Sequence, residues 1–262
     1  MHSYLIRIYL PAFLLLAVAG FAQAQKNIVI SDSLAAHAEV LKVKMGTQMV
    51  GKTWKIRFGD YGIVSGKTGW TTTTTKGNFF NTKTESKSTE KFSFVLGNKT
   101  TDFASVNAAN NIKIESLNEI ELFPHLSLGS DELLLKTQNF SAFITINGDT
   151  SETWALFMNL ARGSNANSKD EALLTNGERI IFLSPVNSNK NGDDPRSMPA
   201  LGYEFIENSR SLCALQYYGG GALGMNRNII WMHKGLDAKM NLILAAAMTA
   251  LLQKNPTGLD LD

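Results

Sequence analysis

Cysteine is nearly absent: the chain has one, Cys213, in 262 residues. A lone thiol closes no intrachain disulfide, so the fold must be held by packing and hydrogen bonds. Cys213 lies in LCALQYY, with no basic neighbour to lower a thiol pKa. That context predicts buried filler rather than a reactive nucleophile. Catalytic motifs are missing as well. There is no G-x-S-x-G elbow. His37, His125 and His233 are scattered, without the H-x-x-x-H or E-x-x-H spacing of a zinc site. No catalytic residue, cofactor or metal is therefore expected, and a secreted hydrolase stands only as an alternative.

Two partial motifs fail on inspection. Gly219 to Gly224 satisfies G-x-G-x-x-G after a strand, but Met225 to His233 reads as another strand. The motif's chemistry needs a helix N-terminus there, aimed at a pyrophosphate, so a glycine hairpin is the better account. Asn187, Asn189, Asn191 and Asp193 mimic the alternate oxygen donors of a calcium loop. The twelfth position, where such a loop places a bidentate carboxylate, is Met198. A solvated loop is expected.

Apolar runs long enough to cross a bilayer are also lacking. The longest, IYLPAFLLLAVAGF, has 14 residues against the roughly 20 required. It follows Arg7 and precedes Ala22-Gln23-Ala24, the three-part layout of a secretory signal peptide cleaved after Ala24. The expectation is a signal peptide over 1–24, no transmembrane helix in the mature chain, and a single domain over 25–262 that is periplasmic, envelope-bound or secreted. The residue directly after the cleavage site is Gln25, not a cysteine that could carry a lipid.

What remains is charge, strands and one helix. The net charge is +2, unevenly spread: residues 26–100 carry 12 basic and 5 acidic side chains, residues 101–262 carry 12 and 18. Gathered on one face, the basic third would meet an anionic surface; interleaved with the rest, it would be neutralised. Lys42, Lys44, Lys55, Arg57 and Lys67 fall at polar positions or turns near Trp54 and Trp70, which makes these cations and Trp70 the candidate surface-binding residues. Anionic lipid, glycan or an envelope protein is the expected partner class; nucleic acid is not.

KTWKIRF alternates with Trp54, Ile56 and Phe58 on one face and Thr53, Lys55 and Arg57 on the other, the period of a half-buried strand. KFSFVLGN repeats the pattern. VLKVKM, NIKIES, FSAFITI, WALFMNL, RIIFLSPV, LGYEFI, LCALQYY and NIIWMH follow, separated by Asn, Gly, Ser and Asp. Thr71 to Lys91 suits a solvated strand or long hairpin. Strands in this order without intervening helices predict an antiparallel topology.

The exception is DAKMNLILAAAMTALLQ, residues 237–253. Asp237 is a plausible N-cap. From Met240 to Leu252 only Asn241 and Thr249 interrupt an apolar surface that runs round the whole wheel. A helix lying on a sheet would keep a polar stripe; one apolar on all sides must be surrounded. The prediction is a mainly β protein, a single antiparallel barrel or strongly curved sheet enclosing this helix.

The C-terminal order of strand NIIWMHK, then Gly235-Leu236-Asp237, then an apolar helix resembles the tubby C-terminal-like group, which includes the LURP-one-related proteins and the phospholipid scramblases. The resemblance implies a barrel threaded by its last helix, and says little of function. The functional expectation is an exported, non-catalytic binding protein. A lipocalin-like carrier, with a hollow barrel and the helix outside, is the second alternative.

Overall fold

In the computed structural model, strand follows strand with reversal of direction almost throughout. The structure describes residues 27–77, 83–117, 120–123, 126–128, 132–165, 171–189, 199–219 and 228–254. A short helix α1 (Asp32–His37) precedes β1 (Ala38–Lys42), β2 (Lys44–Met45), β3 (Ile56–Phe58), β4 (Tyr61–Thr68) and β5 (Thr72–Gly77). The long strands follow: β6 (Lys83–Gly97), β7 (Phe103–Leu117), β10 (Glu132–Ile146) and β11 (Asp149–Arg162), with the small hairpin β8 (Ile120–Phe123) and β9 (Leu126–Leu128) inserted. Then come β12 (Glu171–Thr175), β13 (Ile180–Asn187), β14 (Leu201–Glu207), β15 (Arg210–Tyr218), β16 (Ile229–His233) and the helix α2 (Ala238–Lys254).

The main sheet runs β1-β16-β15-β14-β13-β12-β11-β10-β7-β6-β4-β3-β2, with β5 on the flank of β6. Every pairing is antiparallel and joins near neighbours in sequence, except β1 with β16. The two ends of that order are one stretch of chain. Residues 38–42 pair with β16, Val43 N–H donates to Asn228 O at 3.0 Å, and residues 44–45 pair with β3. The wall thus closes on itself, with a single residue marking the change of partner.

Alternation explains which side faces in. Phe92, Phe94 and Leu96 of β6, Phe140, Ala142 and Ile144 of β10, and Trp154, Leu156 and Met158 of β11 are buried, and the residues between them are more exposed. With β1 and β2 counted as one strand, twelve positions surround the lumen. About eight strands enclose a space that side chains alone can fill; a wider ring needs another element inside, and a helix about 10–12 Å across fits. That element is α2. Met240 and every residue from Leu242 to Lys254 are buried. They share one core with inward side chains of β3, β6, β7, β10 to β16. The helix lies nearest β7 and β10, where the wall offers Ala104, Val106, Ala108 and Ala142. Small residues on both sides permit the close approach.

Both ends of the helix are tied. Asp237 Oδ1 accepts from Met240 N–H at 2.8 Å, the expected N-cap. At the other end, Gln253 offers its amide to the backbone of Trp54, accepting from N–H at 3.0 Å and donating to O at 2.7 Å. A buried side chain thereby stands in for a neighbouring strand.

Outside the wall, residues 28–34 cover β14 to β16. Ile28 and Leu34 pack with Ala214, Ile229 and Trp231 in a second core. Ile28 N–H donates to Gln216 Oε1 at 3.0 Å and Ser31 N–H to Glu204 Oε1 at 3.1 Å.

One local expectation is revised. Thr53, placed by alternation on the solvent face, is buried. The strand begins only at Ile56, and Thr53 packs against Gly66, where an added Cβ would lie 2.0 Å from its Oγ1. The segment Thr71 to Lys91, expected as a solvated strand or long hairpin, is a hairpin of β5 on β6 over the described residues, with β5 exposed throughout. The candidate leader 1–24 and residues Gly220–Gly224 of the glycine motif lie outside the described residues.

Ala246 is fully buried at mid-helix. Ala246→Asp should abolish cooperative folding, because an unpaired interior charge costs several kcal/mol against a total stability of about 5–15 kcal/mol. Thermal melting by circular dichroism checks it: an unchanged melting temperature would contradict the burial of the helix.

Candidate functional site

A meander makes wall order the same as sequence order, so the basic N-terminal third occupies one contiguous sector, β1 to β6. On its outer face Lys42 and Lys44 lie two residues apart on the closing strand, and Lys44 stands directly opposite Arg57. Lys55 precedes β3, where its carbonyl accepts from Gly46 N–H at 2.7 Å. Lys67 stands opposite Ser93. All five are exposed, and none forms an ion pair with a described residue.

Several surface cations elsewhere are matched. Lys113 pairs with Glu115 at 2.6 Å and Lys87 with Glu85 at 2.9 Å. Lys99 pairs with Asp60 and Lys239 with Glu152. Arg179 grips Glu207 through two hydrogen bonds of 2.7 and 2.8 Å, and each holds the other's charge, raising the guanidinium pKa and lowering the carboxyl. Lys76, Lys91, Lys136 and Lys234 also form no ion pair among the described residues; what sets the five apart is that they lie on or beside the adjoining strands β1 to β4.

The structure adds an apolar tip to them. Between β2 and β3 the chain turns at Gly51 (φ 70°), and Lys52 N–H donates to Met49 O at 3.0 Å. This turn is sewn to the β4–β5 connection: Thr68 N–H donates to Gly51 O at 3.1 Å, and Gly69 N–H to Lys91 O at 2.7 Å. Met49 is 62 % exposed, Trp70 96 % and Val50 fully so. The tip therefore carries two aliphatic side chains and an indole with no core to face, flanked in the chain by Lys52, Lys55 and Lys67. Sequence reasoning nominated Trp70 and passed over Met49 and Val50. Their signal was an apolar pair in a turn bracketed by Gly46 and Gly51. Trp54, by contrast, is half-buried and held by Gln253, a structural residue.

The histidines divide. His37 and His233 stack with centroids 5.7 Å apart, and His125 lies outside the described residues. Gly235 N–H donates to His233 Nδ1 at 2.9 Å, which leaves the proton of the neutral ring on Nε2, 3.4 Å from Arg210 Nη2. Desolvation, then the Arg210 charge, then His37, hold the His233 pKa below the ordinary histidine value. This pair of stacked rings beside one guanidinium has no described carboxylate bonded to either ring, unlike a nucleophile–base relay. Cys213 is fully buried, and desolvation drives its thiol pKa well up, which suits filler.

Of the calcium-loop mimic, Asn187 and Asn189 are described, and Asn187 Oδ1 already accepts from Asn189 N–H at 2.8 Å. Asn191 and Asp193 lie outside the described residues. Among the described residues, no three His, Cys, Asp or Glu side chains form a metal-holding group, and no helix is long and apolar enough to cross a membrane.

No family model, curated protein or solved structure matches the chain.

A depressed histidine pKa means that the unfolded chain binds the proton more tightly. The stability contributed by neutral His233 is complete above the ordinary histidine range and is lost as pH falls through that range. Removing the neighbouring charge with Arg210→Gln should raise the His233 pKa, read by NMR titration of the ring. A pKa that does not move would show that Arg210 and His233 are not coupled.

Proposed function

We propose that this is an exported, non-catalytic protein that docks reversibly on an anionic lipid surface through the tip of its barrel. The observation that carries the reading is the joining of exposed Met49, Val50 and Trp70 to a sector of cations without counter-charges. Apolar side chains enter the headgroup boundary and basic ones remain among the phosphates, the division of labour of interfacial anchors. An aromatic ring at that level suits the interface. Export is proposed on the leader-like first 24 residues.

The carrier alternative requires an open lumen, and α2 stands in it. The hydrolase alternative requires a constellation of groups, and the stacked histidines do not supply one. Kinship with the tubby-like group is proposed as well: a meander closed round a C-terminal apolar helix supports it, and it bears on fold rather than ligand.

The test is co-sedimentation with phosphatidylglycerol-containing vesicles against pure phosphatidylcholine. Binding is expected only to the former, weakening as salt screens the charges. The double variant Lys44→Gln/Arg57→Gln should bind about 20- to 30-fold more weakly, at about 1 kcal/mol per surface cation. Trp70 emission should shift to the blue on binding, since Trp54, Trp154 and Trp231 are already half-buried or buried. Equal affinity for neutral vesicles, or none for anionic ones, would overturn the proposal.

A further inference from the structure

Three strands of one wall sector, β10, β11 and β13, carry large apolar side chains on the outer face as well as the inner one. Their inner side chains serve the core, and their outer ones do not. Phe143 is 48 % exposed, Phe157 42 %, Ile180 48 % and Phe182 58 %. Strands buried on both faces read this way in sequence, yet no described residue covers this outer face. The register makes the side chains one strip: Phe157 stands opposite Leu173, and Leu173 opposite Phe182, in a row across β11, β12 and β13. Phe143 meets Phe157 edge to face at 6.1 Å.

Two residues along the strands, about 7 Å away, runs a parallel row of different chemistry. Asn111, Asn139, Asn159 and Glu171 are direct cross-strand neighbours on β7, β10, β11 and β12. A shallow groove of about 220 Å³ lies between the two rows. The side chains of Asn139, Asn159 and Glu171 have no partner among the described residues. Adjacent amides are spaced by the strand separation, about 4.8 Å.

We propose that this outer strip binds a neutral glycan chain lying across the strands, with sugar rings stacked on Phe157 and Phe182 and hydroxyl groups bonded by Asn139, Asn159 and Glu171. The charge balance selects the ligand. The groove carries amides that both donate and accept, one carboxylate and no cation, so an anionic chain is repelled and a hydroxyl-rich neutral one is matched. Faces of aromatic rings meet the C–H faces of sugars, and unpaired amides meet their edges. A second copy of the protein would instead bury the Glu171 carboxylate with no cation in the groove to pair it. The site is separate from the lipid-docking tip and independent of it.

The test is affinity electrophoresis of the full chain through gels containing soluble neutral polysaccharides: a β-1,4-glucan, a β-1,3-glucan, a xylan and a galactomannan. Retardation by at least one of them is expected, unaffected by salt. Phe157→Ala, Phe182→Ala and Asn159→Ala should each weaken it about tenfold or more, with unchanged melting temperature because all three side chains are exposed. Lys44→Gln/Arg57→Gln should leave it intact, which separates this site from the vesicle-binding one. Failure to be retarded by any of the four, or retention that the three variants do not alter, overturns the proposal. So does light scattering that shows a dimer which Phe157→Ala converts to monomer.

Discussion

Everything in this molecule answers to one requirement, that a helix with no polar side be kept from water in every direction. Ala245, Ala246 and Ala247 are fully buried together, which no single sheet laid against one face would achieve. Burial of apolar surface is the dominant favourable term in folding, and here it dictates geometry as well as stability. The wall must be wide enough to admit a helix, closed enough to exclude solvent, and lined with small residues where the two approach. Ala104, Ala108 and Ala142 are the counterpart of the helix alanines.

A filled lumen moves function to the outside. Once the interior is spent on the helix, whatever the protein recognises must meet its outer face or its rims. There the surface is not uniform. One sector carries cations without partners beside an apolar tip, another carries aromatic rings beside amides, and between them β6 and β7 present a closed network of Lys83, Glu85, Lys113 and Glu115. A third patch, over β14 to β16, is sealed by the segment that begins at Ile28.

The sequence disclosed the architecture well and the sites unevenly, for physical reasons. The helix was legible because the absence of a polar stripe is itself a strong statement about surroundings. Strands such as KFSFVLG were legible because large apolar residues alternate strictly. The first half of β7, FASVNAAN, was not: its inward residues are two alanines, a valine and Asn110, and side chains so small or polar alternate without contrast. The five-residue β12 was too short to show a period. The cations and Trp70 could be nominated because charge and aromaticity are visible residue by residue. Met49, Val50 and the row of Phe157 and Phe182 could not, because they take meaning from which face is already occupied. In WALFMNL the inner face belongs to Trp154, Leu156 and Met158, and only that assignment leaves Phe157 without a place.

The seam at Val43 has a temporal corollary. The first strand of the wall finds its lateral partner in the last, nearly two hundred positions later, so the ring cannot shut until β16 has been made. Until then a growing chain displays an open, apolar inner surface, and a closing contact between such distant segments is slow to form. The helix that fills that surface follows β16 in the chain, so seam and filling become available together.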